Sequence, residues 1–75
     1  MRRRRTPHPL IQQLARARTQ RGITQTELAG RALITGQSLN GWENGAHDPR
    51  LSSISAIADA LGYDIVLAPK RRWLR

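Results

Sequence analysis

The chain has 75 residues, enough for one small domain with a single hydrophobic core but too few for a deep catalytic pocket as well. It contains no cysteine, which excludes disulfide bonds, thiolate zinc sites and a cysteine nucleophile. The longest apolar run, IVLA at 65–68, is far shorter than the roughly 20 residues that span a bilayer, and no apolar stretch follows the first arginines as in a secretory signal. We therefore expect a soluble cytoplasmic protein.

The formal net charge of +8 is concentrated at the two ends of the chain. Residues 2–5 are four arginines, and the C-terminal end carries four more basic side chains, Lys70, Arg71, Arg72 and Arg75. Between the two ends, five arginines are balanced by five carboxylates. Basic tails on a DNA-binding core bind phosphates in a salt-dependent way. Solubilising tails without a specific partner have the same composition, so this alternative stays open.

The first predicted helix starts at Pro9, which suits a first helical position because its missing N–H costs nothing there. Apolar residues then recur at helical spacing over residues 10–17 until a glycine ends the pattern. The segment TQTE at 24–27 is a capping box, in which the Thr24 hydroxyl accepts from the Glu27 N–H and the Glu27 carboxylate reaches back. It starts a short second helix.

The segment TGQSLNGWENG at 35–45 has two interpretations. Its Asn40-Gly41 pair is a two-residue hairpin signal, but the flanking residues lack the alternating apolar pattern of hairpin strands. A helix fits better, because a threonine caps its start, two apolar residues three apart share a face, and a glycine ends it. We therefore predict a helix over 35–44, in which Gly41 costs about 1 kcal/mol relative to alanine.

The outer face of this third helix would carry amides and glycines, namely Gly36, Gln37, Asn40, Gly41 and Asn44. Amide side chains can form two hydrogen bonds with an adenine edge, and glycines allow a helix to approach a groove closely. An ordinary polar surface made of poor helix formers is the alternative, and these residues alone do not separate the two.

A fourth helix is predicted from the apolar stripe between Leu51 and Leu61, and the β-branched DIVLAP at 64–69 suggests a short strand. The expected fold class is all-α, a compact bundle of four to five short helices plus a short C-terminal β-strand. The predicted organisation is an N-terminal basic arm (1–8), a helical domain (9–62), a strand segment (63–69) and a basic tail (70–75).

Residues 22–45 resemble the helix-turn-helix of phage Cro and repressor proteins and of their bacterial xenobiotic-response-element relatives. The matching pieces are GITQ-x-ELA and, after a four-residue turn region, IT-x-QSL-x-x-WENG, with no gap between them. In looser form the resemblance extends from Leu10 to Gly62. It implies a helix-turn-helix domain whose third helix reads double-stranded DNA.

The resemblance also implies roles for individual residues. Its base-contacting positions are Gly36, Gln37, Ser38, Asn40 and Gly41. Its phosphate-contacting positions are Gln25, Asn44 and Arg50, to which the arm residues Arg2, Arg3, Arg4 and Arg5 would add salt-sensitive contacts. Arg18 and Glu43 match a buried ion pair between the first and third helices. Leu33 departs from the family, which usually has glycine in a left-handed turn there, and Gly36 and Gly41 stand where relatives have longer side chains.

The predicted strand bears on the oligomeric state, because an isolated strand leaves its backbone polar groups unpaired. Pairing with a second copy would satisfy these groups and bury Ile65 and Leu67, or Val66, against the partner. This resembles the arrangement of Hip-type antitoxins and implies a homodimer on a palindromic operator. The alternative is that residues 63–69 pack as an extended tail on their own core.

No enzymatic constellation is evident, since the five carboxylates are scattered and no serine has an adjacent histidine. We expect no metal at His8 or His47 and no cofactor. The predicted function is a sequence-specific transcriptional regulator, in the role of a repressor, acting on nucleoid DNA. One alternative is an antitoxin that binds a toxin protein and regulates its own operon. The other is a nonspecific basic binder of nucleic acid or anionic surfaces.

Overall fold

The computed structural model describes residues 6–70, and these residues form four α-helices. They are α1 (Pro9–Gln20), α2 (Gln25–Ala32), α3 (Gly36–Glu43) and α4 (Leu51–Ala60). The helical bundle is therefore confirmed, with four helices. The arm residues 2–5 and the basic residues of the C-terminal tail beyond Lys70 lie outside the described part.

Three of the helices begin at a residue whose side chain accepts a backbone hydrogen bond. His8 Nδ1 accepts from the N–H of Leu10 at 3.0 Å, and the Thr35 hydroxyl accepts from the N–H of Ser38 at 3.0 Å. At the start of α2 the predicted capping box is present, with both of its hydrogen bonds formed. Side-chain caps of this kind satisfy N–H groups that have no partner inside the helix, so they define where each helix starts.

The capping box also affects the acidity of Glu27. Its carboxylate accepts from the N–H of Thr24 at 2.9 Å, and the Thr24 hydroxyl and the charge of Arg31 add smaller effects. The pKa of Glu27 is therefore lower than its ordinary value, because these partners favour the ionised form.

The core lies where one face of each helix meets the others. α2 packs against α3 and α4, and α1 packs against α3 and α4. The buried apolar residues are Ile11, Leu14, Ala17, Leu28, Ala29, Ala32, Leu39, Ile54, Ile57, Ala58 and Leu61. Trp42 is partly buried against this core. The stripes predicted from helical spacing are the inner faces, except that Leu10 is only partly buried and Leu51, at the start of α4, is 67% exposed.

The predicted C-terminal strand is wrong for the single chain, since residues 63–70 contain no regular secondary structure and the described part has no strand. Ile65, Val66 and Leu67 have exposed fractions of 38%, 77% and 101%, so they do not pack firmly on the core. A strand requires a neighbouring strand for its backbone hydrogen bonds, and residues 6–70 offer none. The β-branched composition therefore does not produce a strand here.

Candidate nucleic-acid interface

The turn between α2 and α3 contains a leucine in the left-handed conformation. Leu33 has φ 58° and ψ 42°, and its side chain is 92% exposed. The N–H of Leu33 donates to the carbonyl of Gly30 at 3.3 Å, and the N–H of Ile34 donates to that of Ala29 at 3.0 Å. These two bonds form a Schellman motif, which usually has glycine at the left-handed position. The turn therefore keeps the expected backbone despite the substitution.

A partly buried polar network fixes the C-terminal end of α3 to α1 and α2. Arg18 donates through Nε and Nη2 to the two carboxylate oxygens of Glu43, at 2.9 and 2.8 Å, and through Nη1 to the carbonyl of Ile23 at 2.8 Å. The Gln25 amide donates to Glu43 Oε1 at 2.8 Å. The Arg18 and Glu43 side chains are only 12% and 10% exposed. Such a two-point bond between arginine and carboxylate restricts orientation as well as distance.

The outward face of α3 presents two amide side chains. Gln37 and Asn40 are exposed and stand three residues apart, so they lie on neighbouring parts of the same helical face. Gly36 and Ser38 are half-buried at the helix N-terminus, where the Thr35 hydroxyl donates to Ser38 Oγ at 2.9 Å. α3 therefore offers hydrogen-bonding groups to solvent on the side away from the core.

Gly41, the fifth residue expected to contact bases, is buried. A Cβ atom added to it would lie 2.8 Å from Cδ2 of His47, well inside van der Waals contact. The absence of a side chain at this position is therefore explained by a contact within the protein. The role of His47 as a packing residue is not predictable from the sequence, because only the path of the loop after α3 brings its ring to Gly41.

The loop that follows α3 carries the two other residues expected at phosphates. Asn44 is the exposed residue that directly follows α3, and its Oδ1 accepts from the N–H of Ala46 at 3.1 Å. Arg50 is exposed at the residue preceding α4 and makes no side-chain cap there. Gln25, by contrast, is half-buried and donates to Glu43, so one of its roles is to brace α3.

A second interaction that the sequence does not predict joins the end of α1 to the end of α4. Arg21 donates through Nη1 to the carbonyl of Leu61 at 2.6 Å and through Nη2 to the Tyr63 hydroxyl at 3.1 Å. Its guanidinium carbon also lies 5.1 Å from the centre of the Tyr63 ring, within cation–π range. These contacts fix the point at which the chain leaves the bundle and enters the segment 64–70.

Within residues 6–70 no group of three or more histidine, cysteine, aspartate or glutamate side chains is arranged to hold a metal ion. Over the same residues, no helix is both long enough and apolar enough to cross a membrane.

The chain is similar to known helix-turn-helix proteins. A model of a helix-turn-helix family matches residues 14–67, most of the chain. A protein of Sinorhizobium fredii (strain NBRC 101917 / NGR234), described as the uncharacterized HTH-type transcriptional regulator y4dL, is 39% identical over 62 residues. That alignment covers 83% of this chain but 32% of the relative, so the chain spans about a third of the relative's length.

Proposed function

We propose, because the chain belongs to the helix-turn-helix family, that it is a transcriptional regulator which binds double-stranded DNA with α3 in the major groove. The observation that carries the proposal is the pair of exposed amides on a helix whose C-terminal end is fixed by a partly buried ion pair. Gln37 and Asn40 face solvent, while Glu43 on the same helix is bonded to Arg18 and Gln25. Direct readout of base edges requires hydrogen-bond donors and acceptors in fixed positions, and a helix held in place with its amide side chains facing solvent provides them.

In this proposal Gln37 and Asn40 read base edges, each able to form two hydrogen bonds with an adenine. Gly36 and Ser38 lie at the N-terminal end of the same helix, where the backbone can approach the groove closely. We leave Gly41 out of the base-contacting set, because it is buried beneath His47.

The proposed phosphate contacts come from residues that flank α3. Asn44 and Arg50 lie at the two ends of the loop after it, and both are exposed. Gln25 would contribute from the start of α2 through the part of its amide that does not donate to Glu43. Arginines 2–5 would add charge-dependent affinity. Phosphate contacts position the protein and make binding salt-dependent, while base contacts supply the sequence preference.

The test is selection from a randomised duplex pool, at low and at near-physiological salt, comparing the parent with the double variant Gln37→Ala/Asn40→Ala. We expect the parent to enrich one palindromic sequence and the variant to lose that preference while retaining weak, salt-sensitive binding. The matched control is Gln13→Ala/Gln20→Ala, which removes two exposed amides from α1. If the parent enriches no sequence, a nonspecific basic binder replaces the proposal.

We further propose that the regulator acts as a homodimer and represses transcription by occupying an operator. A single helix-turn-helix covers only a few base pairs, and two copies reach half-sites about 34 Å apart. The segment 63–69 supports this proposal, because Val66 and Leu67 are exposed and apolar and its backbone has no strand partner within the described residues. Two copies of the segment could pair across a two-fold axis.

Sedimentation or light scattering tests the dimer. The parent should be dimeric at micromolar concentration, and Val66→Asp/Leu67→Asp should be monomeric with unchanged helix content. Leu51→Asp is a matched control, since this leucine is 67% exposed at the start of α4 and lies away from the segment. A parent that is monomeric alone but forms a stable complex with a toxin-like protein encoded beside it would instead support the antitoxin alternative.

A further inference from the structure

The buried face of α3 carries a contact that the proposed DNA-binding role does not yet use. The His47 imidazole covers Gly41, with Cδ2, Nε2 and Cγ at 2.8, 3.5 and 3.9 Å from the position of a Cβ on that residue. Carbon atoms normally approach to about 3.5–4.0 Å. Any side chain at position 41 would therefore displace the ring by about 1 Å.

The same residue also anchors the loop backbone. The carbonyl of Gly41 accepts from the N–H of Ala46 at 2.9 Å and from that of His47 at 3.4 Å. Gly45 takes a positive φ of 83°, which turns the chain back toward α3. The loop is thus attached to α3 by the backbone hydrogen bonds to Gly41, by the N–H of Gly45, which donates to the carbonyl of Trp42 at 3.3 Å, and by the imidazole ring over Gly41.

Among residues 6–70 no ion pair holds this loop, and its last residue is bonded to α4, where the Arg50 carbonyl accepts from the N–H groups of Ser53 and Ile54. Residues 45–50 form turns and irregular structure, and the side chains of Asn44, His47, Asp48 and Arg50 are exposed. Fixing a loop before binding reduces the ordering cost that would otherwise lower affinity. The His47 ring packed on Gly41 restricts the conformation of the loop in this way.

We propose that the His47 imidazole, seated on Gly41, is a positioning group that sets the Asn44–Arg50 loop relative to α3 for contact with DNA phosphates. The inference rests on the proposed function, in which that loop contacts the phosphates of the DNA backbone. It assigns Gly41 a role without base contact: the residue provides the space in which His47 sits. Neither residue needs to touch DNA for its replacement to weaken binding.

The central test is Gly41→Ala. The new methyl group meets the end of an exposed side chain, which can swing away, and alanine is a better helix former than glycine. We therefore expect the thermal midpoint to be unchanged or slightly higher. Affinity for the selected duplex should fall about 10-fold. The slope of log K against log salt should become less steep by about one, which corresponds to the loss of one phosphate contact. The preferred sequence should stay the same, because Gln37 and Asn40 are untouched.

Two further variants separate positioning from general damage. His47→Ala should lower affinity and salt slope to a similar extent, and the double variant Gly41→Ala/His47→Ala should be no weaker than either single one, since both remove one interaction. Gly30→Ala is the matched control: this glycine is also helical, but a Cβ there meets nothing within 4 Å. It should bind like the parent.

Three outcomes would overturn the inference while leaving the proposed function standing. Parent-like affinity and salt slope for Gly41→Ala would show that the loop needs no such support. A changed base preference at an unchanged slope would show that Gly41 itself faces the bases. Additive losses in the double variant would show two independent contacts. If the parent selects no sequence at all, the proposed function fails and the inference with it, whereas a selective parent matched by Gly41→Ala refutes the inference alone.

Discussion

Replacing Leu33 with glycine should stabilise the protein, although it removes a large apolar side chain. Leu33 is the left-handed residue of the Schellman motif between α2 and α3, and its side chain is 92% exposed. An exposed side chain contributes little packing, so the substitution acts mainly on the backbone. The turn also retains its two hydrogen bonds, which involve main-chain atoms of residues 29, 30, 33 and 34.

The expected change in the free energy of unfolding for Leu33→Gly follows from two opposing effects. A residue with a Cβ costs about 1–2 kcal/mol in the left-handed region, and glycine avoids this strain. Glycine, however, loses more backbone entropy on folding, about 0.5–1 kcal/mol relative to alanine. The difference is a gain between about 0 and 1.5 kcal/mol, and its middle value of about 0.75 kcal/mol corresponds to a rise of about 3–6 °C in the melting temperature of a domain of this size.

The assay is thermal and urea unfolding of four variants at position 33 in the absence of DNA. Leu33→Gly and Leu33→Asn should be more stable than the parent, because asparagine also tolerates the left-handed region. Leu33→Ala should stay near the parent, since it retains the Cβ, and the β-branched Leu33→Val should be less stable. If glycine proves no more stable than alanine, backbone strain at Leu33 is not the controlling quantity and the reasoning is refuted.

Three other predictions concern the polar groups. Arg18→Met leaves Glu43 mostly buried without its cation, so it should lower the free energy of unfolding by about 3 kcal/mol, and Arg18→Met/Glu43→Leu should regain most of this loss; urea denaturation measures both. The pKa of Glu27 is lowered in the folded state, so its contribution to stability is present above the ordinary value of 4.5 and is lost as the pH falls through the lower folded value. The Glu27→Gln variant should therefore lose less stability than the parent on acidification. Equal losses of the two proteins in urea titrations across this pH range would contradict the assignment. Arg50→Ala should reduce the salt slope of DNA binding by about one without changing the preferred sequence, as measured by titration at several salt concentrations, whereas an altered preference would place Arg50 at a base.

The parts of the fold that the sequence predicts are those with local causes. The capping box at Thr24 and Glu27 and the cap at Thr35 are hydrogen bonds between neighbours in the chain, so residue types at fixed spacing are enough to predict them. The apolar stripe of α4 is read in the same way, from helical period alone. Helix starts and inner faces were therefore predictable.

The contacts that the sequence analysis missed depend on how separate segments meet. His47 reaches Gly41 only because the loop turns back at Gly45, and Arg21 reaches Tyr63 across 42 positions of the chain. A glycine on a helix can mean an exposed face or a covered one, and composition does not distinguish them. Gly41 was thus assigned to the outer face by its helical position, while the fold of the following loop buries it.

The conformation of the C-terminal segment is not predictable from its own residues, because a strand also needs a neighbouring strand. Isoleucine and valine at 65 and 66 favour a strand, yet propensity supplies no hydrogen-bond partner, and in the single chain the segment is irregular. The Arg21–Tyr63 contact fixes where the segment leaves the bundle, so its starting point is determined even though its pairing is not. A second copy would place an identical segment within reach and provide the missing partners. If the proposed dimer pairs these segments, circular dichroism should detect more β-signal in the parent than in Val66→Asp/Leu67→Asp, and equal spectra would show that residues 63–69 form no strand in either protein.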